Sequence, residues 1–309
     1  MPDAPPPILA GFPVRWQLDN MVFGAVDAQG CAWYCTKSDG WFGPPKPKTQ
    51  RQAKFQTQGS FRSLAPRGER IIALNGSTRC PSVLARLDAL DRFAAMASDP
   101  TIEYTLTVTD QSQRPRTATV EIDASPQDTK LVGPHWFDWQ FQLGAPDPRK
   151  HDAVWQAPSI GLTQPTGGGL DFSSGGLDFS SGGLDFGSYS SAPSTATVTN
   201  VGTQIAYPLF QLAGPVVNPT ITDVTSGITL IYAGTLGASD TLSINCDDFA
   251  ALGVPNKGVF LNTAGNRRSL LVGPPPWPQV GPGEQHSFEF TGGGGAPALL
   301  TVMLRSCWL

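Results

Sequence analysis

The sequence predicts a mainly β protein of two domains joined by a glycine-rich segment. Three observations predict this. Gly (34) and Pro (29) are both abundant, which suits many short strands and turns better than a helical bundle. Short runs of alternating apolar and polar residues recur in both halves of the chain. Between them lies the stretch 167–187, GGGLDFSSGGLDFSSGGLDFG, which with Ser188 makes three near-identical heptads at 168–174, 175–181 and 182–188. At 309 residues the chain has room for two domains of ordinary size. The expected division is 1–157, a linker over 158–195, and 196–309.

In the first domain, Val14, Trp16 and Leu18 alternate with polar neighbours and read as a strand. Asp27-Ala28-Gln29-Gly30 is turn chemistry, and Trp33-Tyr34 follow in a second strand. Gly40-Trp41-Phe42-Gly43-Pro44-Pro45 then breaks regular structure, because consecutive prolines remove backbone donors. Arg70 to Leu74 reads as strand, with Asn75-Gly76 as a turn. The one strong helix runs from Ser82 to Ala97, where Val83, Leu84, Leu87, Leu90, Phe93 and Ala94 form an apolar stripe. Ser82 is its expected N-cap, and Asp99-Pro100 stops it. Strands resume at Glu103–Thr109 and Thr117–Asp123, joined by a polar turn around Gln111 to Arg114. Trp136 to Leu143 is a strand with Phe137, Trp139, Phe141 and Leu143 on one face.

The second domain alternates more cleanly. Ile228/Leu230/Tyr232, Leu242/Ile244/Cys246, Phe288/Phe290 and Leu300/Val302/Leu304 each give one apolar face. Asn218-Pro219, Ser226-Gly227, Asn256-Lys257-Gly258 and Gly281-Pro282-Gly283 punctuate them as turns. Short antiparallel strands at this spacing imply a β-sandwich or jelly roll.

Net charge is −4, but its distribution says more. Residues 1–157 hold 17 of the 21 Lys/Arg and 16 of the 25 acids, whereas 189–309 hold four basic and six acidic groups. Neither half is basic enough to advertise nucleic-acid binding. From Gly40 to Gly68 six basic residues (Lys46, Lys48, Arg51, Lys54, Arg62, Arg67) occur without an acid. This segment reads either as a solvated loop or as a basic contact with an acidic neighbour, such as another copy of the chain; Lys46, Lys48, Arg51 and Lys54 are its candidate contact residues. The opening MPDAPPPILAGF lacks a basic region followed by an apolar run, so no secretory signal is expected, and nothing approaches a transmembrane length. The five cysteines are scattered. Cys31 and Cys35 would lie about 13 Å apart along a strand, too far for a disulfide, and free thiols are the simple expectation.

Catalytic chemistry finds little support. His135, His151 and His286 show no metal-ligand spacing, and neither a G-x-S-x-G elbow nor a phosphate-binding loop occurs. Asp247-Asp248 is the only adjacent carboxylate pair, and adjacent strand residues face opposite ways. A carboxylate pair drawn from distant strands stays open. No enzymatic activity and no cofactor are expected. Trp277, after three prolines, reads either as a loop residue closing a core or as an exposed aromatic platform for a sugar.

The heptads admit several readings. Three seven-residue units are too short for a solenoid. A calcium β-roll uses nine-residue units with a further Gly before the Asp, and one carboxylate per unit (Asp171, Asp178, Asp185) falls short of calcium's six to eight oxygens. A Gly/Ser spacer leaves the recurring Leu and Phe unexplained. In an extended Leu-Asp-Phe triplet the two apolar side chains share a face. Leu170/Phe172, Leu177/Phe179 and Leu184/Phe186 are therefore candidates to dock on the chain's own domains or on a neighbouring subunit.

Over most of its length the chain resembles the distal tail and minor tail proteins of long, flexible-tailed bacteriophages, especially those infecting actinobacteria. In the first domain the resemblance rests on Asp39-Gly40-Trp41-Phe42-Gly43-Pro44-Pro45, on the helix following Ile71, Ala73 and Asn75-Gly76, and on Gln142-Leu143-Gly144-Ala145-Pro146-Asp147-Pro148-Arg149. In the second it rests on Asn218-Pro219-Thr220-Ile221, Asp240-Thr241-Leu242-Ser243-Ile244, Asn266-Arg267-Arg268-Ser269 and Arg305-Ser306-Cys307-Trp308-Leu309. The GGLDF repeat also fits. The resemblance implies a tail-tube-like β-sandwich with a flanking helix that assembles as a homo-oligomeric, typically hexameric ring. It implies a second sandwich, jelly-roll- or galectin-like, on the outer side. Implied partners are the tail tube, tape measure and tail-tip or baseplate hub proteins, in a virion assembled in the host cytoplasm, without membrane or specific nucleic-acid binding. Asp147 and Arg149, and likewise Asn266 and Arg267, would fix structural turns. A carbohydrate-binding module acting in host-surface adhesion, taking a host glycan through the second domain, is the alternative.

Overall fold

The computed structural model describes residues 14–48, 58, 66–96, 102–162, 195–249, 257–262, 265–273, 277–293 and 297–309, the side chains of 124–129 excepted. The chain divides into two compact units, Met1–Val154 together with Ser306–Leu309, and Trp155–Arg305. Among the described residues it is mainly β with one α-helix.

The first unit holds β1 (Arg15–Leu18), β2 (Met21–Phe23), β3 (Ala25–Val26), β4 (Ala32–Asp39), β5 (Arg70–Arg79), α1 (Val83–Met96), β6 (Tyr104–Thr109), β7 (Arg116–Gly133), β8 (Trp136–Ala145) and β9 (Lys150–Asp152). The strands follow the order β2-β1-β6-β7-β8-β5-β4-β3, with β9 beside the start of β7. Strand β7 belongs to two layers: residues 116–120 pair with β6, and Glu121 onward pair with β8. One sheet thus folds over on itself and closes an apolar interior.

Aromatic rings fill that interior. Trp16, Phe23, Trp33, Phe93, Phe137, Trp139 and Phe141 are all buried, and Phe23 lies 5.5 Å edge-on from Trp33 and 4.7 Å from Trp139. The alternation expected for β8 is present, with Phe137, Trp139, Phe141 and Leu143 buried and Trp136, Asp138 and Gln140 exposed. Helix α1 starts where expected, Ser82 Oγ accepting the Ala85 N–H at 3.1 Å. Its buried side matches only the later part of the expected stripe. Phe93 is buried and Leu90 packs against the core, joined by Ala89 and Met96, whereas Val83, Leu84 (69% exposed), Leu87 and Ala94 face solvent. The cause lies in the anchors beside the core-facing side: Arg92 Nη2 pairs with Asp27 at 2.8 Å and Arg86 Nη1 donates to the Gly133 carbonyl at 2.7 Å.

Asn75-Gly76 is not a turn. It lies in the middle of β5, where Gly76 faces Trp139 across the β8 pairing. A Cβ there would stand 2.0 Å from the Tyr34 carbonyl oxygen and 2.4 Å from the Trp139 ring, so the glycine is the gap that the indole fills.

The second unit holds β10 (Ser159–Gly161), β11 (Thr195–Thr199), β12 (Leu209–Ala213), β13 (Val216–Asp223), β14 (Thr229–Tyr232), β15 (Thr235–Leu236), β16 (Thr241–Asn245), β17 (Gly258–Leu261), β18 (Gly265–Asn266), β19 (Leu271–Val272), β20 (Gln285–Gly293) and β21 (Leu299–Met303). Two sheets form, β10-β21-β12-β16-β17-β18 and β11-β20-β13-β14-β19 with β15 beside β13. The expected apolar faces are buried except at Ile228, which is half-buried and precedes its strand: Leu230 and Tyr232, Leu242, Ile244 and Cys246, Phe288 and Phe290, and Leu300, Val302 and Leu304. Phe210 meets Phe288 edge-on at 5.1 Å. Asn218-Pro219, expected as a turn, sits inside β13 as a bulge between Val217 and Thr220, with Asn218 at φ 47°. Strand β10 lies in the stretch expected as linker. The final residues join the first unit, where β22 (Cys307–Trp308) pairs with β9.

Replacing Gly76 with Ala should destabilise the first unit by about 1–3 kcal/mol, the usual cost of overpacking. The denaturant midpoint followed by tryptophan fluorescence measures it. An unchanged midpoint would show that the Tyr34 carbonyl and the indole both move aside.

Candidate functional site

Two motifs far apart in sequence meet at the start of β5. The Asp39–Pro45 segment leaves β4, and the Ala145–Arg149 segment leaves β8. Between them lies Arg70, 1% exposed, opposite Ala145 in the β5–β8 pairing. Its Nη1 donates to the carbonyls of Gly40 (2.6 Å), Trp41 (3.0 Å) and Gly43 (2.8 Å), and its Nε donates to the Pro148 carbonyl at 3.0 Å. Tight turns and prolines leave these carbonyls without strand partners, and the guanidinium gathers them with donors in a fixed fork. Gly40 makes the approach possible: at φ +89°, an added Cβ would lie 1.8 Å from the Ile71 carbonyl oxygen.

Lys150 reinforces the staple. Its Nζ donates to the Trp41 carbonyl at 3.1 Å and lies 5.5 Å from the centre of the Trp41 ring. Asp147 supplies the countercharge. Its carboxylate takes Arg149 Nε at 2.8 Å and Nη2 at 2.8 Å, the Arg149 backbone N–H at 3.0 Å, and His151 Nε2 at 3.2 Å. Burial pushes the Asp147 carboxyl upward, but the bonds from His151 and Arg149 outweigh it and hold the group below its ordinary value. Burial lowers the Arg70 pKa, with Asp147 opposing.

This cluster presents a loop to solvent. Phe42 is 60% exposed, held edge-on to Trp16 at 6.3 Å. Beyond it, the Lys48 N–H donates to the Pro66 carbonyl and the Gly68 N–H to the Lys46 carbonyl, a two-stranded neck bridged at Pro47 and Arg67. Lys46, Lys48 and Arg67 are exposed there. Arg51 and Lys54 lie outside the described residues, as do Leu170, Phe172, Leu177, Phe179, Leu184 and Phe186. What the arrangement offers is an exposed aromatic side chain beside cations on a backbone fixed from below.

In the second unit, the Asn266 side chain accepts the Arg268 N–H at 2.9 Å, turning the chain out of β18. The Arg267 guanidinium reaches the Asn266 carbonyl at 3.4 Å, so this turn rests on the amide rather than on an ion pair. Trp277 is 5% exposed, with Arg268 4.7 Å and Lys257 5.8 Å from the centre of its ring. It is buried and not the exposed platform that the sugar-binding reading requires. His286 joins a carboxylate cluster that the sequence did not reveal: Nδ1 meets Asp223 Oδ2 at 2.7 Å and Nε2 meets Glu284 Oε2 at 3.3 Å. Ser226 Oγ donates to Asp223 at 2.6 Å rather than to the imidazole, so the set latches the β13–β14 turn to β20. Among the described residues no cluster of His, Cys, Asp and Glu could hold a metal ion, and no helix is long and apolar enough to cross a membrane.

No family model and no curated protein matches this sequence. Solved structures do. The chain is similar to the SPP1 Dit (gp 19.1) protein, a paradigm of the hub adsorption apparatus in phages infecting Gram-positive bacteria. Identity is 9%, the TM-score is 0.57, and the match covers 96% of this chain and 99% of that one. Two matches are to chains of the phage p2 baseplate in its activated conformation. The form with strontium gives 10% identity and a TM-score of 0.49, and the form with calcium gives 11% and 0.48. Each covers 94% of this chain and 97% of its own. The SPP1 likeness shows that this chain has a Dit-like fold across both units.

Two variants test the staple. Arg70→Leu removes the side-chain donor to the part-buried Gly40, Gly43 and Pro148 carbonyls and leaves the buried Trp41 carbonyl to Lys150 alone. A buried carbonyl left unpaired costs about 1–3 kcal/mol. The variant should lower the melting temperature and open the 40–48 loop to limited proteolysis; equal resistance to protease would refute the staple. The second test uses pH. Burial, with the charges of Arg70 and Arg116 nearby, lowers the Lys150 ammonium from 10.5 to about 8. Between those values the unfolded chain holds a proton that the folded chain has lost, so this group makes stability rise with pH. The thiols of buried Cys31 and half-buried Cys35, both raised by desolvation, work the other way above their ordinary value of 9. Denaturant titrations of wild type and Lys150→Met from pH 7 to 9 isolate the lysine, and the variant should lose part of the rise. Identical pH slopes would overturn the assignment.

Proposed function

We propose that the chain is a structural subunit of a phage tail tip, of distal-tail type. Its first unit forms a homo-oligomeric ring, hexameric in the simplest case, that joins the tail tube to the adsorption apparatus. The single observation that carries this reading is the end-to-end likeness to a Dit protein, spanning both units in one chain. The stapled loop supports it: a closed ring uses head-to-tail contacts between unlike surfaces, and Phe42 with Lys46, Lys48 and Arg67 is a surface suited to an apolar, acidic neighbour. The exposed Val83, Leu84 and Leu87 of α1, flanked by exposed Asp88 and Asp91, have the matching character.

In this reading the protein acts by geometry and not by catalysis. It resides in the virion of a long-tailed phage, assembled in the host cytoplasm, with tail tube, tape measure and hub proteins as its partners. Host glycan recognition by the second unit is the weaker alternative, since its candidate platform, Trp277, is buried.

Size-exclusion chromatography with light scattering, followed by negative-stain microscopy, tests the proposal on the full chain. Ring-shaped multimers are expected, weakened by joint reversal of Lys46, Lys48, Arg51 and Lys54 to Glu. Duplex DNA should not be retained at physiological salt, because an acidic chain gains little from counterion release. A monomer that neither closes into rings nor joins tail components, yet is retained on a glycan array, would favour the alternative.

A further inference from the structure

Strands β4 and β5 form an antiparallel hairpin whose two ends are held differently. At the end that carries the stapled loop, Arg70 ties the backbone from below. At the other end the register pairs Ala32 with Arg79, and one step further brings Cys31 opposite Cys80. The backbone bonds fix what kind of pair this is. The Cys31 N–H donates to Asp27 Oδ1 and its carbonyl accepts the Asp27 N–H. The Cys80 N–H donates to the His135 carbonyl on the side of β8. Both residues turn their backbone groups away from each other, which defines a non-hydrogen-bonded cross-strand site. Its Cα atoms stand about 4.5 Å apart in a regular ladder, inside the range of about 4.4–6.8 Å that a disulfide spans. Both side chains are buried, opposite residues of an antiparallel pair point to one face of the sheet, and each thiol is close enough to shift the other's pKa.

We propose that Cys31 and Cys80 are an oxidisable pair that closes an intramolecular disulfide across the open end of this hairpin. The oxidant is a low-molecular-weight disulfide such as oxidised glutathione. One cysteine sulfur attacks it and releases one glutathione, and the second displaces the other, so the two cysteines lose two protons and two electrons and two glutathiones form. The bond would close a covalent ring over residues 31–80, which includes the whole stapled loop. It would thus clamp the end of the hairpin that Arg70 does not reach.

The site is shielded from rapid exchange. Cys31 lies under α1, its Sγ 3.6 Å from the Ala85 carbonyl, and burial pushes its thiol up to about 12. Attack requires the thiolate, so the pair reacts slowly with mild disulfides while the fold is closed and oxidises when the β3–β4 corner opens. That corner is held by Asp27, which also takes Trp33 Nε1 at 2.9 Å and Arg92 at 2.8 Å. Cys35, the half-buried thiol on β4, faces Gly76 across the ladder and has no thiol opposite it.

The test uses the full chain, warmed with excess oxidised glutathione to below its melting temperature, then alkylated. Intact mass and non-reducing peptide mapping should show a loss of about 2 Da, the two hydrogens of one disulfide, in a peptide joining Cys31 to Cys80. The melting temperature should rise and fall back on reduction. Cys35→Ser should keep the mass loss and Cys80→Ser should abolish it. Since the decisive reading is on wild type, a variant that misfolds does not blunt the test. Wild-type protein that keeps both thiols through the treatment, or that ends as a disulfide through Cys35 or a stable glutathione adduct on Cys31 or Cys80, would overturn the proposal.

Discussion

The first unit depends on one buried cation. Arg70 holds three carbonyls from the segment after β4 and one from the segment after β8, so two loops that share no sequence end in one place. A lysine could not replace it, because a point charge on a flexible stem lacks the fork that reaches both segments at once. Bonds from Nη1 and Nε and the charge of Asp147, itself ringed by Arg149 and His151, offset part of the cost of burying this cation, whose Nη2 is buried without a hydrogen-bond partner. Breaking one member of such a cluster costs more than its share, because it leaves the others buried and unpaired. That interdependence fixes the loop backbone and leaves Phe42 displayed instead of collapsed into the core.

Much of this fold could be read in the sequence, because alternation along a strand depends only on neighbouring residues. The β8 face and the four apolar faces of the second unit follow from period two alone. The misreadings have a common cause, which is that tertiary neighbours override local chemistry. Asn75-Gly76 and Asn218-Pro219 carry turn chemistry, yet both lie within strands. In the first, Trp139 needs the space above the glycine; in the second, a bulge absorbs the proline and the left-handed Asn218. Helix α1 has two apolar sides, and periodicity cannot say which one the core takes. Arg86 and Arg92 decide it through partners 47 and 65 residues away.

The site was legible in proportion to sequence distance. Asp147 and Arg149 are two residues apart and their bond can be read from spacing. Arg70 bonds Gly40 and Pro148, 30 and 78 residues away, and nothing about an arginine opening a strand marks it as buried. The two motifs it joins were visible as odd proline- and glycine-rich segments, but not as partners. His286 was equally hidden, since its carboxylate Asp223 lies 63 residues away on another strand.

The path of the chain adds a last constraint. It leaves the first unit after β9, builds all of the second, and returns as β22 to pair with β9, Cys307 opposite His151 and Trp308 opposite Lys150. Trp308 is then covered by the Arg116 guanidinium, 4.4 Å from its ring centre. The second unit is therefore an insertion whose two ends are joined by a strand pair, and the entropy of closing so long a loop grows only slowly with its length. A domain with adjacent termini can be inserted in this way without disturbing its host. Because β9 also carries Lys150 and follows Asp147, the strand that receives the returning chain is the one that anchors the staple under Trp41. The exit and return of the second unit and the fixation of the exposed loop thus rest on the same few residues.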